Sequence, residues 1–204
     1  MSFAFRQGGE YFMKKLVSYT LAAMIIPMAV WAEDVDLDKL RDAVSKYKDV
    51  NVAMAEGYIS PDNKCVSAEG EGLPPDLGAM GMHYIQPQLL KITGTDPRVD
   101  GMSTYTNWMQ PSVLIYEPQA DGSMELVAVE NLVFEAAWNA AGKTDAPVLN
   151  GRGWDHMADD PGTPGDEAHG FAPHYDQHVW LFRENPMGEL MPFNPNVTCE
   201  HHPS

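Results

Sequence analysis

The amino-acid sequence predicts an α+β domain in which an N-terminal amphipathic helix packs on a curved antiparallel sheet, with long loops and one disulfide. Three observations lead there. Apolar residues fall at helical spacing once, from Leu37, and afterwards form short β-like runs separated by turn residues. The 17 Gly and 16 Pro residues enrich the stretches between those runs, among them 60–81 and 142–173, which read as loops. The chain has two cysteines, Cys65 and Cys199, far apart in sequence.

Residues 1–32 read as an address rather than as structure. Lys14 and Lys15 precede an apolar stretch from Leu16 to Val30, and Ala32, with Val30 two positions earlier, offers a cleavage point before Glu33, the order of a secretory signal peptide. A retained membrane span is the weaker reading, because the run is short and Glu33, Asp34, Asp36 and Asp38 follow at once. The polar residues Arg6 to Glu10 do not suit such a leader, so Met13 is read as the start and 33–204 as a single mature domain. Export to an oxidising compartment makes a Cys65–Cys199 disulfide the expected use of an even pair; two free thiols or thiolate ligands are the alternative.

Within the domain, Leu37, Leu40, Val44, Tyr47, Met54 and Tyr58 lie along one helical face, with Asp36 placed to cap and Gly57 to stop. One helix of about five turns is expected. Strands are expected at 82–86, 112–117, 124–134 and 179–183. The turn-rich residues 118–123 join the middle two as an antiparallel hairpin. Residues 133–141 are read as turning helical, and 142–173, which show little periodicity, as a long surface excursion.

Charge narrows the function classes. With 13 Lys+Arg against 29 Asp+Glu the formal charge is −16, and no basic stripe offsets it. Phosphate backbones and anionic membrane surfaces repel such a chain, so nucleic acid is excluded as a partner, as is the membrane after signal cleavage. Removing residues 1–32 takes away Arg6, Lys14 and Lys15 but only one acid, Glu10, which leaves the mature protein more acidic still. No Gly-rich phosphate loop or nucleophile elbow is present.

The sharpest chemical feature is the run His174-Tyr175-Asp176-Gln177-His178. In a helical turn His174 and His178 share a face and can grip one metal ion; in a strand they stand about 13 Å apart, and Asp176 with His178 is the closer pair. His83, in Met80-Gly81-Met82-His83-Tyr84, supplies an imidazole from a distant part of the chain. Met80 and Met82 add thioethers that favour copper if they point inward, although methionine packs cores as readily. Glu130 lies inside the apolar run from Leu126 to Val133, where a carboxylate is costly to bury without a cation. A metal or an imidazolium would answer it; the plain alternative is an ion pair with Arg183 or Arg152. Glu117 is expected at the solvated hairpin end, about 20 Å along the ladder from Glu130 and too far for a carboxylate dyad. The acidic loop from Asp155 to His169 lacks calcium-loop spacing and reads as solvated, leaving His156 and His169 as weak candidates. His201 and His202 sit in the tail, where fraying is usual.

The strings Tyr47-Lys48-Asp49-Val50, Met80-Gly81-Met82-His83-Tyr84, Leu114-Ile115-Tyr116-Glu117-Pro118, Val127-Ala128-Val129-Glu130, His178-Val179-Trp180-Leu181-Phe182 and Pro192-Phe193-Asn194-Pro195 resemble a family of secreted bacterial proteins of uncharacterised function. The resemblance covers most of the mature chain in patches. It implies export, to the periplasm or beyond, and a single domain, and it carries over no catalytic residue. Residues 151–170 are longer and more acidic than that pattern, which counts against His156 and His169. The expectation is therefore an exported protein holding a divalent metal ion, zinc or copper, at His83, Glu130, His174 and His178, with iron or manganese also compatible with nitrogen and oxygen donors. A metal-free module that binds a small molecule or a partner protein through Tyr84, Trp108, Trp138, Trp154 and Trp180 is the alternative. Metal-activated water or a redox metal would make the protein a hydrolase or an oxidoreductase, and the sequence does not choose between them.

Overall fold

The computed structural model describes residues 32–162 and 165–202, and its centre is a six-stranded antiparallel sheet curled into a half-barrel. The leader reading of residues 1–32 falls, apart from Ala32, outside the described residues. The strands are β1 (Cys65–Ser67), β2 (Ala79–Ile85), β3 (Val113–Pro118), β4 (Met124–Phe134), β5 (Asp155–Met157) and β6 (His174–Trp180). They run side by side in the order β5-β6-β4-β3-β2-β1, each pair antiparallel. The expected hairpin joins β3 to β4, closed by the Gln119 N–H donating to the Ser123 carbonyl at 2.9 Å. Strand β6 begins at His174 rather than at Val179, because the whole run from His174 to Trp180 is hydrogen-bonded to β4, and its first three residues also to β5.

Strand alternation sorts side chains onto two faces. On β4, Val129 and Val133 enter one core, while Ala128, Leu132 and Phe134 enter the other. On β6, Val179 joins the first core and Trp180 the second. By the same parity Glu130, His174, Asp176 and His178 belong to the second face.

The first face is covered by the N-terminal segment, which is not one helix. Helix α1 (Leu37–Val44) is capped by the Asp36 side chain, which accepts from the Asp38 and Lys39 N–H groups. A 3₁₀ turn (Ser45–Lys48) follows, Asp49 is extended at φ −90° and ψ 106°, and α2 (Val50–Ala55) starts afresh. Asp49 causes the break: its carboxylate accepts from the Asn51 N–H at 2.9 Å, a cap that competes with helix continuation. The restart rotates the face, so Ala53 is buried and Met54, expected in the core, is exposed. Leu40, Val44, Tyr47 and Tyr58 pack with Trp108, Trp138 and Trp154 against this face.

Loops and the C-terminal tail cover the second face. Val99 pairs with Phe171 and Ala79 with Asn194, and Leu90, Val99, Phe171 and Val197 pack over Ile85, Val113, Leu132 and Phe134. The Cys65–Cys199 disulfide, with Cα atoms 5.7 Å apart, ties β1 to that tail across 134 residues. Helix α3 (Glu135–Ala140) follows β4 where helix is expected. Among the described residues no helix is long and apolar enough to cross a membrane.

Candidate metal centre

The register of the sheet places Glu130 of β4 directly opposite His178 of β6. His83 reaches them from β2, one strand beyond β3, so the curl of the sheet is what closes the gap. Gly81 lets β2 take that path: its φ is +109°, and a Cβ there would lie 2.7 Å from the Tyr116 carbonyl oxygen. The Nε2 atoms of His83 and His178 each stand 3.3 Å from Glu130 Oε2. Side-chain exposure is 6% for His83 and 0% for the other two. Zinc bonds of about 2.0 Å in tetrahedral array require ligand atoms about 3.3 Å apart, so this spacing suits a metal without rearrangement.

A second group adjoins the first. His174 Nε2 lies 3.5 Å and His169 Nε2 3.9 Å from Asp176 Oδ2, and all three residues are buried. His174 and Asp176 come from β6, two residues apart on the inner face. His169 comes from the loop before β6, in the left-handed region at φ +36°. Its loop is held down by Arg98, whose guanidinium donates to Asp166 Oδ1 and to the Phe171 carbonyl at 2.9 Å each, and by the Val99–Phe171 bridge. The groups meet where the His83 and His169 rings lie 5.4 Å apart.

Polar atoms at the centre of this cluster have nothing to bond to. Buried and without hydrogen-bond partners are the Nε2 atoms of all four histidines, His178 Nδ1, and both carboxylate oxygens of Glu130 and of Asp176. Buried polar groups are nearly always satisfied, so such a concentration signals a missing cation or a strained active group. Two of the rings are pre-set as ligands. His174 Nδ1 lies 2.9 Å from the Ala172 carbonyl, which can only accept, so Nδ1 carries the proton and Nε2 presents a lone pair. His169 hydrogen-bonds the Glu167 backbone, again leaving Nε2 free.

Titration behaviour follows from burial and crowding. Desolvation pushes His178 down to about 4, although the Asp176 charge opposes it, and drives His169 well below its ordinary range, aided by the neighbouring imidazoles. Desolvation also acts on His83, but its approach to Glu130 and the charge of Asp176 outweigh it, and its pKa is raised. Glu130 Oε2 is equidistant from two imidazoles, yet only His83 is raised, and His178, held at about 4, is neutral near pH 7. Neutral imidazole is the form that binds metal.

Three of the four expected ligands, His83, Glu130 and His178, thus converge. His174 does not join them, because its segment is strand and carries it two repeats away from His178, into company with Asp176 and His169. Asp176 is the closer partner of His178 that a strand reading offers; His169, a weak candidate because its acidic loop lacks calcium-loop spacing, lies in the centre instead, and nothing in an irregular loop signals that its backbone turns inward. Glu117 is not solvated: it is buried, paired with Arg183 Nη2 at 2.7 Å, and accepts the Thr198 N–H at 2.8 Å. Arg152 binds Asp155 and Gln177, so neither arginine reaches for Glu130. His156 pairs with Glu135 at the surface, and His202 lies against the Asn63 carbonyl. Of the aromatic residues offered as an apolar lining, Trp108, Trp138 and Trp154 are buried in the first core with Tyr84 packed against it, and Trp180 stacks on His178 in the second.

A cavity of about 490 Å³ opens beside the centre, with His169 on its wall. Met80, Met157, Met187, Met191, Leu73 and Phe193 make the rest of that wall largely apolar, with Glu71 and Glu167 among them. No protein-family model matches the chain, and no curated protein or solved structure is significantly similar to it.

Proposed function

We propose that the protein is an exported metal-binding protein whose centre at His83, Glu130 and His178 holds a divalent transition-metal ion. One observation carries the reading: two imidazole Nε2 atoms approach the same carboxylate oxygen at 3.3 Å in buried space where none has a hydrogen-bond partner. Neutral rings could each turn an Nε2–H towards Glu130, but that leaves a buried carboxylate with no opposite charge; a divalent cation supplies the charge and engages all three groups.

The donors are two nitrogens and one oxygen. Met82 occupies the strand position facing away from His83, and Met80 packs with Val66, Ala68 and Phe193 on the wall of the cavity that His169 lines, so neither thioether belongs to the group of His83, Glu130 and His178. Zinc suits the set best, with ferrous iron or manganese next and copper behind them. Three protein ligands leave a coordination position open, the form of sites where metal-bound water or a substrate takes the fourth place. Export is supported by the Lys-led apolar leader and by the disulfide, which persists in oxidising compartments.

Elemental analysis of protein purified without an affinity tag tests the reading. Bound metal is expected in the wild-type protein and a lower content in His178→Ala; chelator should lower the melting temperature and one specific ion restore it. Protein without metal whose melting ignores both chelator and added ions would defeat this proposal and favour the metal-free binding module.

A further inference from the structure

We infer that the centre takes two metal ions, the second bound by His169, His174 and Asp176 beside the first. The inference rests on the proposed function and extends it.

The second group has the chemistry of a ligand set in its own right. Its three donor atoms lie within 4.8 Å of one another, and all three side chains are buried. Asp176 Oδ2 faces the Nε2 atoms of His174 and His169 at 3.5 and 3.9 Å. Because His174 spends its proton on the Ala172 carbonyl, its Nε2 is an acceptor turned towards an acceptor. His169 repeats the arrangement from the other side, its ring bonded to the Glu167 backbone. Acceptors gathered without a donor repel one another, and a cation between them removes the repulsion.

An ion at the first group does not serve the second. His174 and His178 are four strand residues apart, about 13 Å along the backbone, and their donor atoms fall in two separate groups, each within 4.8 Å, with no member in common. Charge points the same way. With neutral imidazoles the cluster holds two carboxylates, and a single divalent ion at Glu130 leaves Asp176 buried with both oxygens unpartnered. The groups nevertheless share one chamber, since the His83 and His169 rings are 5.4 Å apart. His169 also lines the 490 Å³ cavity, which gives the second ion an entry path and places it nearer to any incoming ligand.

The number of ions per chain decides the matter. Tag-free protein stripped with chelator, titrated with zinc alone and dialysed, is weighed by native mass spectrometry. Two zinc ions per chain are expected, with His174→Gln and Asp176→Asn each retaining one, at the first group, and His178→Gln retaining one, at the second. His169→Gln, a change in a loop rather than in a central strand, provides the same reading if the strand variants do not fold. One ion in the wild type that survives His174→Gln and His169→Gln overturns the inference and leaves the proposed function standing. One ion lost equally in every variant means a single mixed site and also overturns it, and no ion overturns both. A second ion lost in His201→Ala/His202→Ala, but kept in His174→Gln, belongs to the tail and refutes the second site.

Discussion

The two faces of the sheet treat buried polarity in opposite ways. On the helix-covered face, the Tyr58 hydroxyl donates to the Pro111 carbonyl at 2.6 Å, the Tyr116 hydroxyl to the Tyr47 carbonyl at 2.7 Å, and the Trp138 indole to the Asp145 carbonyl at 2.9 Å. Only the indole N–H groups of Trp108 and Trp154 are unpartnered among that core's aromatics. On the loop-covered face, four imidazoles and two carboxylates lack partners at the atoms that point at each other. Glu117 and Glu130 condense the contrast, since both are buried acids of one hairpin. Glu117 is answered by a permanent cation, Arg183, and a backbone N–H, whereas Glu130 faces only two imidazoles, neither of which balances its charge unless it takes up a second proton. The chain can satisfy a buried acid with its own residues and at Glu130 does not, which argues that the second face is completed by something outside the chain.

The largest expected effect tests what holds the second face together. The disulfide joins β1, the neighbour of the strand bearing His83, to the tail that packs on the second face, across a sequence separation of 134 residues. Converting both cysteines to serine should cost about 4 to 5 kcal/mol in urea unfolding by the chain-entropy account. Hydrogen exchange should rise first over the tail and β2, before the helix side. Uniform loosening of both faces would erase the distinction between them.

A paired substitution breaks the comparison more finely. Leu114, fully buried on the helix side, should cost about 2 to 5 kcal/mol when changed to Ala, with metal content unaltered. Glu130→Gln should do the reverse. Its amide can donate to His83 or His178, so stability in chelator should hold or rise by about 1 kcal/mol, while metal at the first group is lost. Metal loss in Leu114→Ala without unfolding, or a chelator-independent collapse of Glu130→Gln, would show that the faces are not separate in function.

How far the sequence reveals this arrangement depends on whether the signal is local. The hairpin at 118–123, the Asp36 cap and the oddity of Glu130 are local patterns, the disulfide follows from an even pair of cysteines, and the structure contains each of them. The single long helix is not there, because an apolar spacing that persists through Asp49 does not reveal that its carboxylate caps a new start. The assignment of His174 turns on secondary structure: the same five residues hold one ion as helix and belong to two groups as strand, and pairing with β4 decides it. His169 was out of reach because its place depends on Arg98 and Val99, some seventy residues away, pinning its loop.

Acid should separate the faces by a smaller margin. His178 is held at about 4 by desolvation, against about 6.5 in an unfolded chain. Between those values the unfolded state binds a proton that the folded state refuses, so stability falls as pH drops through this window. His169, also held low, adds in the same direction. His83 opposes them: its raised pKa contributes stability that is present below about 6.5 and is lost as pH rises through its folded value. With two groups against one, metal-free protein should lose about 2 kcal/mol between pH 7.5 and 5. Urea unfolding in chelator measures this, and His178→Gln should flatten the dependence. On the helix side, burial raises Tyr58 and Tyr116 above their ordinary range, so those groups stay neutral throughout the window. Metal binding should weaken over the same acid range, because His83 must give up its proton to become a ligand. A metal-free protein equally stable at both pH values would mean that the buried imidazoles are hydrated, and the contrast between a dry, unanswered face and a satisfied one would fail.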